Sequence, residues 1–242
     1  MQSANQLVSS SLILEALCLS RKKRVQLSNL NIDVQDGSTV AIMGRSGAGK
    51  TTLLRTIAGL AAPDSGWVQT SAACVPIVFQ EPRLLPWRTV RQNLEIALPP
   101  DERDRGIEWL ERVGLSAVAD AYPLTLSGGM RQRVSIARAL ARDSSLLLVD
   151  EPFSHLDVVT ANQLRQDLRH HLFETGRTCV WVTHDPDEAA TVARQTIIMD
   201  GPPRGSWQLI SHDEYSSTAQ LIAALTEAIE QSSFDPKHQE VS

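Results

Sequence analysis

The stretch Gly44, Arg45, Ser46, Gly47, Ala48, Gly49, Lys50, Thr51 and Thr52 contains the spacing G-x-x-x-x-G-K-S/T without a mismatch. Residues of these types at this spacing gather polyphosphate. Glycines admit a tight turn and a close approach that a Cβ would block. Backbone N–H groups, together with the positive end of a following helix, then converge on one anion. Lys50 can reach the β- and γ-phosphates, and the Thr51 hydroxyl can ligate Mg²⁺. The implied ligand is a nucleoside triphosphate, which still leaves kinases, GTPases and many ATPases open.

Two further groups narrow the chemistry. Asp150 and Glu151 follow the apolar run Leu146, Leu147, Leu148, Val149. An acid at such a strand end is a second anchor for Mg²⁺, and its neighbour can deprotonate a water for in-line attack on the γ-phosphate. The bland alternative is a pair of acids capping a helix start. Ser127, Gly128 and Gly129 open a helical pattern carrying Val134, Ala137 and Ala141 on one face. That is either an ordinary N-cap or a second anion-ready helix start. One nucleotide cannot easily meet two such starts from distant parts of one chain, whereas two chains packed head-to-tail could sandwich it.

The elements that must position these groups follow from periodicity. Residues 40–43 form a short apolar strand before the glycine-rich loop. Residues 53–60 are apolar at helical spacing and include Gly59 near their end. Residues 12–19 and 30–34 read as strands, with the charged run Arg21, Lys22, Lys23, Arg24 as a solvated turn between them. Turns are expected at Asp36-Gly37 and at residues 63–66. Residues 75–79 form a strand ending at Gln80. From 81 to 142 the pattern becomes helical and Pro-interrupted, with segments at 91–97 and 107–113. The run 146–149 reads as a central parallel strand, apolar on both faces and carrying its polar groups at the carboxyl end. A helix over 159–174, strands over 179–183 and 196–199, and one amphipathic tail helix over 214–230 complete the pattern, before a polar and frayed end. Strands alternating with helices predict a parallel α/β core.

The 242 residues suffice for one to two domains with a sizeable core. A net charge of −5 offers no basic field for nucleic acid. No apolar run approaches the roughly 20 residues needed to span a membrane, and the start does not read as a signal peptide. The cysteines, Cys18, Cys74 and Cys179, form no C-x-x-C pair. Cys179, inside an apolar run, reads as a core thiol. The expectation is a soluble, cytoplasmic protein.

With these residues in view, the chain resembles the nucleotide-binding subunits of ATP-binding cassette (ABC) transporters, over residues 12–199. Residues 126–132 match the family signature L-S-G-G-x-x-Q. Gln80 matches the glutamine that senses Mg²⁺ and the γ-phosphate and couples to the membrane partner. Leu156-Asp157 matches the loop through which the two subunits communicate, and His184 the histidine that contacts the γ-phosphate. Residues 78–87 are similar to the nitrate, sulfonate, taurine and bicarbonate importer subgroup. Two positions depart from the pattern. Arg21 stands where the family usually has an aromatic residue on adenine, and His155 where it commonly has a small residue.

The resemblance implies a P-loop NTPase α/β core with a mainly parallel sheet, an N-terminal antiparallel β subdomain and an inserted helical subdomain. The expected layout is a core over about 1–80 and 143–205, an insertion over about 81–142 and a tail over about 206–242. It implies an Mg·ATP-hydrolysing motor with Glu151, His184, Gln80 and Lys50 in catalysis. Thr51, Gln80 and Asp150 would hold Mg²⁺, and residues 44–52 with Ser127, Gly128, Gly129 and Asp157 would bind nucleotide. Its partners would be transmembrane permease subunits, a second copy in an ATP-sandwich dimer and an external solute-binding protein, at the cytoplasmic face of the inner membrane. No nucleic-acid partner is expected; an ABC-type ATPase of nucleic acid or translation is the alternative. Leu84, Leu85 and Trp87, kept out of a regular helix by Pro86, are expected to form the permease docking patch.

Overall fold

The computed structural model describes residues 10–232, so the expected frayed end beyond them lies outside the described residues. The chain divides into two compact units, residues 1–71 with 178–242, and residues 72–177.

The first unit opens with β1 (Ser10–Arg21) and β2 (Arg24–Gln35), paired antiparallel. Lys22 and Lys23 turn the chain with φ of 50° and 63°, both exposed, so the charge run is a hairpin tip. Leu12, Leu14, Leu17, Leu19, Leu27 and Leu30 are buried along the hairpin. After β3 (Thr39–Gly44) and α1 (Lys50–Ile57), β4 (Ser65–Thr70) returns to pair with β1, giving the order β2-β1-β4. Periodicity misses β4. It is an edge strand with Ser65, Gly66, Trp67 and Gln69 all exposed, so it carries no apolar alternation.

The second unit contains β5 (Ile77–Val78), α2 (Val90–Glu95), α3 (Gly106–Arg112), α4 (Gly128–Leu140), β6 (Leu146–Asp150) and α5 (Val158–Thr175). The starts of α2, α4 and α5 are capped by side chains, whereas α3 has no such cap. Thr89 and Gln92 form a reciprocal capping box at α2, while the Ser127 and Asp157 side chains cap α4 and α5. Gly176, at φ 62°, ends α5 in the left-handed conformation. Strands β5 and β6 run parallel, with Ile77 opposite Leu148 and Val78 opposite Val149. All five residues of β6 are buried, as a strand apolar on both faces requires.

The chain re-enters the first unit at β7 (Thr178–Val182), followed by α6 (Pro186–Val192), β8 (Gln195–Met199), β9 (Trp207–Ser211) and α7 (Thr218–Ser232). Strand β3 lies between β7 and β8, parallel to both, and β9 closes the edge antiparallel to β8. Cys179 is fully buried, and burial pushes its thiol pKa far above the ordinary range. The tail reading anticipates α7 but not β9, and the short α6 before the tail is not anticipated either. In β9 only Ile210 is buried, too little for alternation to stand out. Leu221, Leu225 and Ala228 of α7 pack on Ala41, Met43, Ile198 and Ile210, which makes the tail helix part of this unit's core.

Candidate functional site

In the first unit the glycine-rich loop leaves β3 at Gly44 and enters α1 at Lys50. Gly44 has φ 150°, and a Cβ there would stand 2.4 Å from the Met199 carbonyl oxygen, so only glycine can start this turn. Gly49 is the N-cap of α1 at φ 106° and supplies no capping side chain; no acid stands in the first turn. The helix start is therefore open to an anion. Lys50 is only 8% exposed. Its Nζ donates to the carbonyls of Gly44 at 2.7 Å and Arg45 at 3.3 Å, which folds the side chain back along the loop. Ala48 N–H donates to Arg45 O at 3.1 Å, closing the turn. Arg45, Ser46, Gly47 and Thr51 present exposed surface, and Thr52 is half-buried.

His184 belongs to the same unit. Thr183 N–H donates to Ile42 O at 3.1 Å, which extends the β7–β3 ladder and brings His184 out beside the carboxyl end of β3. Its flanks are braced: buried Thr183 Oγ1 donates to the Glu188 carboxylate, and Asp185 N–H donates to Thr183 Oγ1 at 3.0 Å. Asp185 in turn caps α6 by accepting from Asp187 N–H at 2.9 Å and Glu188 N–H at 3.4 Å. The backbone is thus held on both sides of an exposed imidazole.

The second unit carries the acids. Asp150 ends β6 at 8% exposure, and Glu151 turns away half-buried at φ 43°. Ser154 Oγ donates back to Glu151 O at 3.2 Å. Gln80, two residues beyond β5, is exposed; its Nε2 donates to Ser154 Oγ at 3.1 Å and stands 3.4 Å from His155 Nε2. The parallel β5–β6 register thus brings Gln80 and the Asp150-Glu151 turn to one end of this unit. Gln132 of α4 donates from Nε2 to Phe79 O at 3.3 Å, steadying the backbone just before Gln80.

Ser127 Oγ accepts from Met130 N–H at 3.2 Å, so the serine does cap α4. A Cβ on Gly129 would meet Thr160 Cγ2 at 3.0 Å, and one on Gly128 would come within 3.9 Å of Leu156 Cδ2. Gly129 lets the start of α4 close on the start of α5, whereas a Cβ at Gly128 would make only an ordinary contact. There Asp157, exposed, accepts from Thr160 N–H at 3.0 Å, and that bond holds its carboxyl below the ordinary carboxylate range.

Beyond Gln80 the chain is clamped rather than loose. Arg138 of α4 donates to Pro82 O at 2.9 Å and Arg83 O at 3.0 Å, and the Arg83 guanidinium lies 3.8 Å from the centre of the Phe79 ring. Fully buried Asn93 accepts from Leu85 N–H and donates to the carbonyls of Leu85, Arg88 and Thr89. Leu84 and Leu85 are half-buried; Trp87 is 69% exposed. Sequence reasoning missed Ser154, Arg138 and Asn93. Their partners lie far along the chain or are backbone carbonyls, which leave no trace in spacing. A cavity of about 720 Å³ lined by Trp109, Ile136, Leu140, Leu168 and His171 involves none of the expected site residues.

Residues 27–154 match the family model described as ABC transporter. The aliphatic sulfonates import ATP-binding protein SsuB of Granulibacter bethesdensis is 47% identical over 176 residues, 72% of this chain and 73% of that protein. The nitrate import ATP-binding protein NrtC of Synechococcus elongatus is 40% identical over 205 residues, 78% of this chain but only 31% of that longer protein. Among solved structures, a dimeric post-hydrolysis ATP-binding cassette bound to ADP and Pi superposes with a TM-score of 0.69 at 32% identity, covering 78% of this chain and 94% of that one.

Proposed function

The chain belongs to the ABC transporter family of ATP-binding, ATP-hydrolysing subunits, and from that premise we propose that it powers import of a small anionic solute, an aliphatic sulfonate or nitrate. The observation that carries the substrate class is its likeness to sulfonate and nitrate import subunits. Separate permease subunits would form the pathway. Among the described residues no helix is long and apolar enough to cross a membrane. The chain would work as a dimer with a second copy of itself, at the cytoplasmic face of the inner membrane, in a complex fed by an external solute-binding protein.

Residue roles follow the motif positions. Residues 44–49 and the start of α1 offer N–H groups to the phosphates, and Lys50 adds the cation. Thr51, Gln80 and Asp150 would hold Mg²⁺; a hydroxyl, an amide and a carboxylate are the hard oxygen donors this ion prefers, with water completing its shell. Held there, Mg²⁺ would supply charge neutralisation to the triphosphate. Glu151 takes the proton of the attacking water, and His184 donates toward the γ-phosphate from its braced corner. Ser127, Gly128, Gly129 and Asp157 would serve the nucleotide of the partner copy. Gln80 passes the state of the nucleotide to the segment ending at Trp87.

The test is uptake. Cells lacking this gene are assayed for entry of labelled taurine, a linear alkanesulfonate and nitrate, with plasmid-borne wild type or Glu151→Gln. Uptake of a sulfonate or of nitrate should be lost and restored by wild type alone. Unchanged uptake of all three would remove the substrate assignment while leaving the ATPase intact.

A further inference from the structure

Gln26 is one of the polar side chains that the fold buries. It lies on β2 beside Leu27, which is fully buried. Leu19 pairs with Leu27 but Ser20 with Val25, so Gln26 is the extra residue of a β-bulge and has no partner across the ladder to place it. A glutamine there would ordinarily be solvated, yet Gln26 is only 6% exposed.

The phosphate loop covers it. A Cβ built on Gly49 would stand 2.8 Å from Gln26 Cβ and 3.2 Å from Gln26 Oε1. Gly49 thus leaves room for an amide laid against the loop at the start of α1. That amide oxygen is buried and has no hydrogen-bond partner. A buried acceptor in this condition is rare and calls for an explanation. Lys50, the nearby cation of the loop, directs its ammonium to the carbonyls of Gly44 and Arg45.

We propose that Gln26 is a nucleotide-specificity residue whose amide accepts a hydrogen bond from a ribose hydroxyl of the bound nucleotide. The proposal rests on the loop's binding a nucleoside triphosphate. Chemistry then chooses the group. The phosphates carry acceptors only and cannot satisfy Oε1. Moving outward from the phosphates, the first donors on a nucleotide are the 2′- and 3′-hydroxyls. The amino group of adenine is farther off, at the opposite end of the ligand. The side chain is unbranched, so a small rotation turns the amide edge toward an arriving hydroxyl. The chain would thereby recognise its ligand partly through the sugar, in keeping with an exposed Arg21 and no aromatic side chain at the hairpin tip.

The experiment is a binding matrix on the full chain: ATP, 2′-deoxyATP and 3′-deoxyATP against wild type, Gln26→Met and Gln26→Leu. Wild type should bind one of the deoxynucleotides about fivefold to tenfold more weakly than ATP, the worth of one hydrogen bond. Both variants lack the acceptor and should bind all three nucleotides alike, at the weaker level. Equal affinity of wild type for the three ligands overturns the proposal without any variant having to fold. Discrimination retained in a variant with wild-type melting temperature overturns it too. Failure of wild type to bind ATP at all is a different result, because it removes the phosphate-loop reading and this inference together.

Discussion

Arg138 Nη2 donates to the carbonyl oxygen of Pro82 at 2.9 Å, tying the helix that begins at Ser127 to the segment that follows Gln80. The same guanidinium holds Arg83 O at 3.0 Å, and burial lowers its pKa without removing its charge. Arg138→Ala would leave both carbonyls without this donor. The expected loss is about 1–3 kcal/mol in denaturant unfolding, with a faster proteolytic cut near Arg83. Arg138→Lys should recover only part, since an ammonium lacks the planar fork. Wild-type protease resistance in Arg138→Ala would show that the clamp holds nothing.

Lys50 and Glu151 should separate binding from hydrolysis. Lys50→Ala removes the loop's cation and should weaken ATP binding. Glu151→Gln keeps shape and hydrogen bonding but cannot take a proton. Its phosphate release should fall by about 10²–10⁴ while ATP still binds. In sedimentation, Glu151→Gln should dimerise on adding Mg·ATP, and adding Ser127→Arg should return it to monomer. Turnover at the wild-type rate in Glu151→Gln would reassign the base.

Asp157 links stability to pH. Its hydrogen bond from Thr160 N–H depresses the folded-state pKa below the ordinary value of 3.8. The cap therefore stabilises fully above that value and is lost as pH falls through the lower folded pKa. Asp157→Ala should be less stable than wild type at neutral pH, and the gap should close as the medium is acidified below about 4. Asp157→Asn keeps the cap and should flatten this dependence. Parallel wild-type and Asp157→Ala stability curves from neutral to acid would contradict the assignment.

Trp87 stands 69% exposed on a loop that buried Asn93 holds in place. Trp87→Ala should change stability by no more than about 0.5 kcal/mol, as for other surface positions. It should nevertheless weaken capture of the permease subunits and lower transport-coupled ATPase activity. Asn93→Ala is the opposite case, because it removes a fully buried side chain together with its bonds to the backbone of Leu85, Arg88 and Thr89, and it should destabilise the chain outright. A sharp fall in melting temperature for Trp87→Ala with intact permease binding would place the tryptophan in the core.

What the sequence determined alone lies in short contiguous windows. The glycine-rich loop, the acids after the Leu-rich strand and the Ser127 glycines depend on neighbours a few residues apart, and backbone geometry turns such spacing into position. The buried strands β3, β6, β7 and β8 were legible for a related reason: apolar residues on both faces form unbroken runs. Tertiary structure decided the rest. Strands β4 and β9 are short edges with few buried residues, stabilised by pairing with β1 and β8 and not by any pattern of their own. The Arg138 clamp joins residues 56 apart and targets carbonyl oxygens, which every residue carries. Gln26 falls between the charged run and the strand expected over 30–34 and carries no signal of its own until Gly49 is laid over it. A hydrogen bond to a backbone atom, or a side chain covered by a distant glycine, has no period, so only the folded chain reveals it.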